Sequence, residues 1–405
     1  MTQPSWSNWG ANQVFSPHSL LKPRTEDDAI THIRQALEGA YCVRVAGGGH
    51  SFTPVVQTDG VLLDLSLLSG VLGIDAARQQ AQVWAGSQIA ALGEPLWQAG
   101  LSIENQGDID VQSIAGAIAT GTKGSGPFGS LSSRVVSLRV VNGLGEVVDI
   151  DASQPELLHA AQVSLGMLGP VLRVGLQLTP AYRLKEENIV LPMEDVLDQW
   201  DELNRRYRHF SFWWMPTDRS AELYKLGDVP AGHCFVKLLR EVPGSEPDAP
   251  PGEPNRRTDR AYRIYPDGTT VAQFHELEYM VDAADARAAV ALMQHLMLER
   301  FPDEISPLQV RWQKADQGLL SAQYGRDSVS ISVSGEIGRD YLPFLRAVDE
   351  ALRPLNARPH WGKLHFLDQP RVAALYPGYE QFVAIRRRMD PHGRFLNPHL
   401  RALFG

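Results

Sequence analysis

"VAGGGHSFTP", residues Val45–Pro54, sets three consecutive glycines directly before a histidine. On its own the stretch has two readings. It is a turn that ends in an exposed His, or a cradle that brings backbone N–H groups close to a ligand, because no Cβ blocks the approach. A dinucleotide fingerprint would need G-x-G-x-x-G opening a helix. Here the glycines run into Pro54 and more strand-like sequence, so that reading fails.

The surroundings are mixed α and β. "TEDDAITHIRQALEGA" (residues 25–40) predicts a helix capped by Thr25, with an acidic first turn and Gly39 at its end. The short strand "CVRVAG" follows and feeds the glycines. "QAQVWAGSQIAALGEPLWQAGL" predicts strand, turn and helix, and Arg134–Ile150 predicts a hairpin around "NGLGE". From residue 184 the texture changes. "HFSFWWMPTD" and "QFHELEYMVD" read as strands, "AADARAAVALMQHLMLERF" as an amphipathic helix, and "DSVSISVSGE" as a further strand. Glu241–Arg257, rich in Pro and Gly, predicts an exposed loop. The fold class expected is α+β in two parts, with boundaries at 1–183, 184–370 and 371–405, the last segment returning to the first part.

Bulk properties narrow the function. A chain of 405 residues is longer than one core usually serves. A net charge of −9 gives no electrostatic reason to bind nucleic acid. The basic run Arg386–Arg388 is expected to be a solvated helix face. Two cysteines exclude a disulfide framework, and Cys42, in an apolar run, is expected to be buried. Neither a signal peptide nor a membrane span is expected, and the default location is cytoplasmic.

A second stretch sharpens the first. "NQGDIDVQSIAGAIATGTKGSGPFG" (Asn105–Gly129) spreads Gly, Ser and Thr with hardly any charge. It reads either as backbone that approaches a large anionic ligand or as a small-residue helix packed beneath a sheet, and the two are compatible. With "RPHWGKLH" (Arg358–His365) and "MDPHGRFLNPHL" (Met389–Leu400), the ordered set resembles the FAD-binding vanillyl-alcohol oxidase superfamily. Within it, the likeness is to the sugar-oxidising branch of aldonolactone and alditol oxidases.

That resemblance implies FAD bound covalently through His50. Gly47, Gly48, Gly49 and Ser51 would wrap the pyrophosphate. Asp108, Ser113, Gly116, Thr120, Gly121, Thr122 and Lys123 would line the cofactor from the second loop, Val171 at its adenine end and His360 near the flavin. Arg311 and Lys363 match the branch's catalytic Arg and Lys. Arg311 is expected to stabilise the developing anion, and Lys363 to bind and polarise the reacting hydroxyl. The implied reaction oxidises a sugar-derived alcohol by hydride transfer to flavin, with O2 reoxidation to peroxide. A dehydrogenase with another acceptor, and a non-catalytic flavin- or sugar-binding protein, are the alternatives.

Two departures stand out. Lys123 replaces a usual His, and Gln309 replaces the Glu of a usual Glu-x-Arg; Gln309 hydrogen-bonds but takes no proton. Trp213, Trp214, Trp312 and Trp361 are candidates for a sugar-stacking wall or for core packing. His360, His365, His392 and His399 cluster in sequence without a carboxylate–His ligand set, so no metal is expected. "GHSFT" does not fit a nucleophile elbow.

Overall fold

Thr25 opens the helix Glu26–Glu38 through a capping box: its hydroxyl accepts the Asp28 N–H, and the Asp28 carboxylate accepts the Thr25 N–H. Ala29, Ile33 and Ala36 recur at helical spacing and form the buried face. The fold is seen in a computed structural model that describes residues 4–249, 255–266 and 273–405. The helix carries the chain from strand Ser19–Leu21 to strand Val43–Ala46, and both lie parallel to Val61–Asp64 between them. Gly47 follows directly from the carboxyl end of Val43–Ala46, where open α/β arrangements place their ligands.

Beside this small sheet stands an antiparallel one of five strands. Its order is Val147–Asp151, Val135–Val141, Val171–Gln177, Gln80–Trp84 and Val71–Asp75. The expected hairpin is its first pair, in register Val147 to Val141. Asn142 closes the turn by accepting the Leu144 and Glu146 N–H groups, both at 2.9 Å.

The second part is a nine-stranded antiparallel sheet running from Arg183–Glu186 to Arg358–Pro359 in sequence. Its strands alternate with period two. Phe210, Phe212, Trp214, Leu277, Tyr279, Val281, Leu308, Val310, Val329 and Ile331 join a core with helices Met193–Arg206, Ala286–Arg300 and Leu342–Leu352. The intervening residues, Ser211, Trp213, Glu276, Glu278, Gln309, Arg311, Ser330 and Ser332, belong to the opposite face. They are buried as well, which makes that face polar without being solvated.

The chain's end returns to the first part. Phe382, Leu400, Leu403 and Phe404 share a core with Val83, Val135 and Val174. Asn397 donates to the carbonyls of Pro54 at 2.7 Å and Gln57 at 2.9 Å, and Arg44 donates to Phe395 O at 2.6 Å. The segment after His50 is thereby pinned. Together these elements make the α+β class, and no helix among the described residues is long and apolar enough to cross a membrane.

Three local expectations need correction. Arg386 is not solvated: it is buried, donating to Phe404 O, because it falls on the helix face turned toward the carboxyl end. Cys42 is only half-buried. The expected loop Glu241–Arg257 begins two residues late, since Glu241 and Val242 end a strand, and its residues 250–254 lie outside the described residues.

Candidate active site between the glycine loops and the large sheet

Each glycine of Gly47–Gly49 is required for its own reason. A Cβ on Gly47 would sit 2.2 Å from Ser113 Oγ, and one on Gly48 would sit 2.8 Å from the Val111 carbonyl. Gly49 has φ +70°, which disfavours any side chain. The two glycine-rich stretches are therefore in contact. Ser113 caps the helix Ile114–Thr120 by accepting the Gly116 N–H at 3.2 Å. Between the stretches runs a cleft of about 1180 Å³, open solvent included, walled by Gly47–Ser51, Ser113, Gly116, Thr120 and, from the antiparallel sheet, Val171.

A second cavity, about 1510 Å³ with its open mouth, continues from the first and shares His50, Ser51, Gln112 and Thr120 with it. Its floor is the polar face of the large sheet. Sheet register sets Trp213, Gln309, Ser332 and Glu278 in one row across four strands. Arg311, two residues beyond Gln309, donates to Glu278 Oε1 and to Asp108 Oδ2, each at 2.7 Å. Lys123 pairs with the same Glu278 oxygen, and Gln309 donates to the same Asp108 oxygen at 3.1 Å. Lys363 pairs with Glu276, which also accepts from Ser332 Oγ at 2.6 Å.

These contacts set the protonation states. Burial alone would raise the Glu278 carboxyl, but Lys123 and Arg311 outweigh it and hold it well below the usual carboxylate range. Burial, then the Arg311 charge, push Lys123 down to about 8 against the pull of Glu278. His50 is lowered to about 4 by burial and then by Lys363, and His360 to about 3, chiefly by burial. Both imidazoles are neutral at physiological pH. The His50 ring also stacks on Trp9, with centroids 5.4 Å apart.

The predicted residues thus divide. Gly47, Gly48, Gly49, Ser113, Gly116 and Val171 line the first cleft, while His50, Ser51 and Thr120 line both cavities. Thr122, Lys123, Asp108 and His360 stand on the second cavity with Gln309, Arg311 and Lys363, and none of these seven lines the first cleft. Gly121 lines neither: at φ +76° it ends the helix so that Thr120 and Thr122 reach the wall. Of the four tryptophans, Trp213 alone lines the cavity; Trp214 is in the opposite core, Trp361 packs on Tyr376, and Trp312 is packed against the core. Glu276 and Glu278 were missed. The signal was present in "HELEYMVD", two carboxylates at strand spacing amid apolar residues.

Comparison with known proteins fits this geometry. A model described as FAD binding domain matches residues 17–151, and one described as D-arabinono-1,4-lactone oxidase matches 174–232 and 235–403. The chain belongs to the D-arabinono-1,4-lactone oxidase family. It is 34% identical to L-gulono-1,4-lactone dehydrogenase of Mycobacterium tuberculosis over 99% of both chains. It is 27% identical to L-gulonolactone oxidase of Bos taurus and 28% identical to alditol oxidase of a Streptomyces species, each over 98% of both chains. The fold matches a crystal structure of cholesterol oxidase from B. sterolicum with a TM-score of 0.85 at 17% identity, covering 100% of this chain and 97% of the other. The superfamily resemblance read in the sequence therefore holds, and the protein is an FAD-dependent oxidoreductase acting on CH–OH groups of sugar-derived compounds.

Proposed function

We propose that the protein oxidises an aldonolactone or alditol at one carbinol carbon, with FAD tethered to His50 and O2 as the final acceptor. Alcohol and O2 become carbonyl compound and H2O2. The observation that carries this reading is that His50 lines both cavities, at the join of a glycine-walled cleft and a charged floor. The cleft fits the cofactor: small residues on both walls let backbone approach a pyrophosphate closely, and a neutral imidazole at its end has a nucleophilic nitrogen. Residues 1–183 and 371–405 would hold the cofactor, and 184–370 would present the substrate floor.

When bound, FAD supplies the two-electron acceptor for the hydride leaving the carbinol carbon. The chain's own residues prepare the alcohol. Lys363, held by Glu276 beside His50, would bind and polarise the reacting hydroxyl. Arg311, clamped between Asp108 and Glu278, would stabilise negative charge developing next to it without moving, since both its ends are already anchored. Gln309 would orient hydroxyls without exchanging protons.

Anaerobic mixing of the holoenzyme with aldonolactones and alditols tests this reading. Bleaching of the visible flavin band is expected, followed on admission of air by recovery of the band and one peroxide per turnover. Bleaching without peroxide, but with rapid dye reduction, would replace oxygen by another acceptor. Absence of bleaching across the panel would remove the reading.

A further inference from the structure

Asp108 has its two carboxylate oxygens in different situations. Oδ2 accepts from Gln309 at 3.1 Å and from Arg311 at 2.7 Å. Oδ1 takes no hydrogen bond from any described residue, and it is not among the sealed polar atoms that lack a partner. The side chain is 23% exposed and stands on the wall of the second cavity, so this oxygen opens into the cavity. Burial would raise the carboxyl, but Arg311 and then Lys237 outweigh it and keep it ionised at neutral pH. An ionised oxygen with free lone pairs accepts hydrogen bonds and donates none.

The charges around it are balanced. Lys123, Arg311 and Lys363 on the cavity wall are matched by Asp108, Glu276 and Glu278, and each cation already touches one of those carboxylates. Among the described residues that line the cavity the charges sum to zero, so a ligand's carboxylate meets no excess of positive charge, and Oδ1 would repel it.

We propose that Asp108 is a substrate-binding residue whose Oδ1 accepts a hydroxyl of the substrate other than the one oxidised, and that the cavity selects a neutral polyhydroxy compound over the corresponding ring-opened acid. Gln309 and Arg311 hold Asp108 in position from the adjacent strand. The inference rests on the function proposed above and adds to it which side chain reads the substrate.

The test uses the flavin-loaded enzyme and its D108N and D108A variants. The probes are L-gulono-1,4-lactone, its singly deoxygenated analogues and L-gulonate. Anaerobic flavin reduction gives the half-saturating concentration for each, and thermal melting checks that the variants fold. Both variants should need ~10- to 100-fold more lactone, the range for a hydrogen bond to a charged group. For one deoxygenated analogue, wild type and variants should be indistinguishable, because the partner hydroxyl is already gone. In the wild type alone, that analogue should be weakened to the same degree, and L-gulonate should reduce the flavin far less well than the lactone. An equal loss across every analogue would mean that Asp108 acts only by holding Arg311, and would overturn the proposal. Unchanged half-saturation, or gulonate as effective as lactone, would overturn it too. A wild type bleached by these probes with variants unaltered sinks this inference alone; a wild type bleached by no polyhydroxy compound sinks the proposed function, and this inference with it.

Discussion

Glu278 Oε1 accepts Arg311 at 2.7 Å and Lys123 at the same atom, joining the large sheet to the second glycine loop through one buried oxygen. Removing one partner of a buried ion pair costs about 3–5 kcal/mol, because the other charge stays buried and unpaired. Glu278→Gln leaves Lys123 buried without its partner and Arg311 with Asp108 alone. A large fall in thermal midpoint is expected. The pH dependence has a definite sign. The folded carboxyl lies below its unfolded value, so its stabilisation is present above the ordinary carboxylate range and is lost as pH falls toward the folded value. Part of the wild type's acid sensitivity should be absent in the variant, as followed by melting across an acid series.

Gly47→Ala puts a methyl 2.2 Å from Ser113 Oγ, so either that wall or the strand end must move. Overpacking of this kind costs about 1–3 kcal/mol. Flavin content should fall with stability, and Ser113→Gly in the same chain should restore part of both. Gly73→Ala is the control, since its Cβ would meet nothing within 4 Å. Equal behaviour of the two alanine variants would contradict the cradle.

His50 titrates near 4 in the fold instead of 6.5. Between those values the unfolded chain binds the proton and the folded one does not, so this group's contribution to stability falls as pH drops through that window. A neutral imidazole is also the form that can bond to flavin. Incorporation of FAD by apoprotein should hold level from pH 8 down to about 5, below the ordinary His midpoint. A midpoint near 6.5 in the incorporation rate would count against a buried, neutral His50.

Lys363→Met removes the ammonium beside His50 and leaves Glu276 without its cation. Loss of one well-placed electrostatic group lowers turnover by roughly 10²–10³-fold. The decline should appear in the rate of flavin reduction at saturating substrate, with the visible spectrum of the resting enzyme retained. A change confined to half-saturation would reduce Lys363 to a binding role.

Much of this was legible in the sequence, for identifiable reasons. Thr25 with Asp28, and the turn at Asn142, are local signals, and they gave the helix and the hairpin. The parallel crossover was harder to see, because strand Ser19–Leu21 is three residues long. The glycine cradle needed two distant stretches read together: Gly47 is forced by Ser113, not by its neighbours. Sheet register is what the sequence hides most. It sets Glu278 beside Ser332 and Gln309, and so turns "HELEYMVD" from a plain strand into part of a charged cavity floor. The same register accounts for Lys123, whose charge Glu278 neutralises.

The most direct test is the fate of the flavin when the fold is destroyed. Protein prepared with ample flavin should stay yellow after acid precipitation, and a peptide containing His50 should carry the mass of the flavin. His50→Ala should yield a colourless precipitate. A colourless wild-type precipitate, or an adduct on any other residue, would contradict the account.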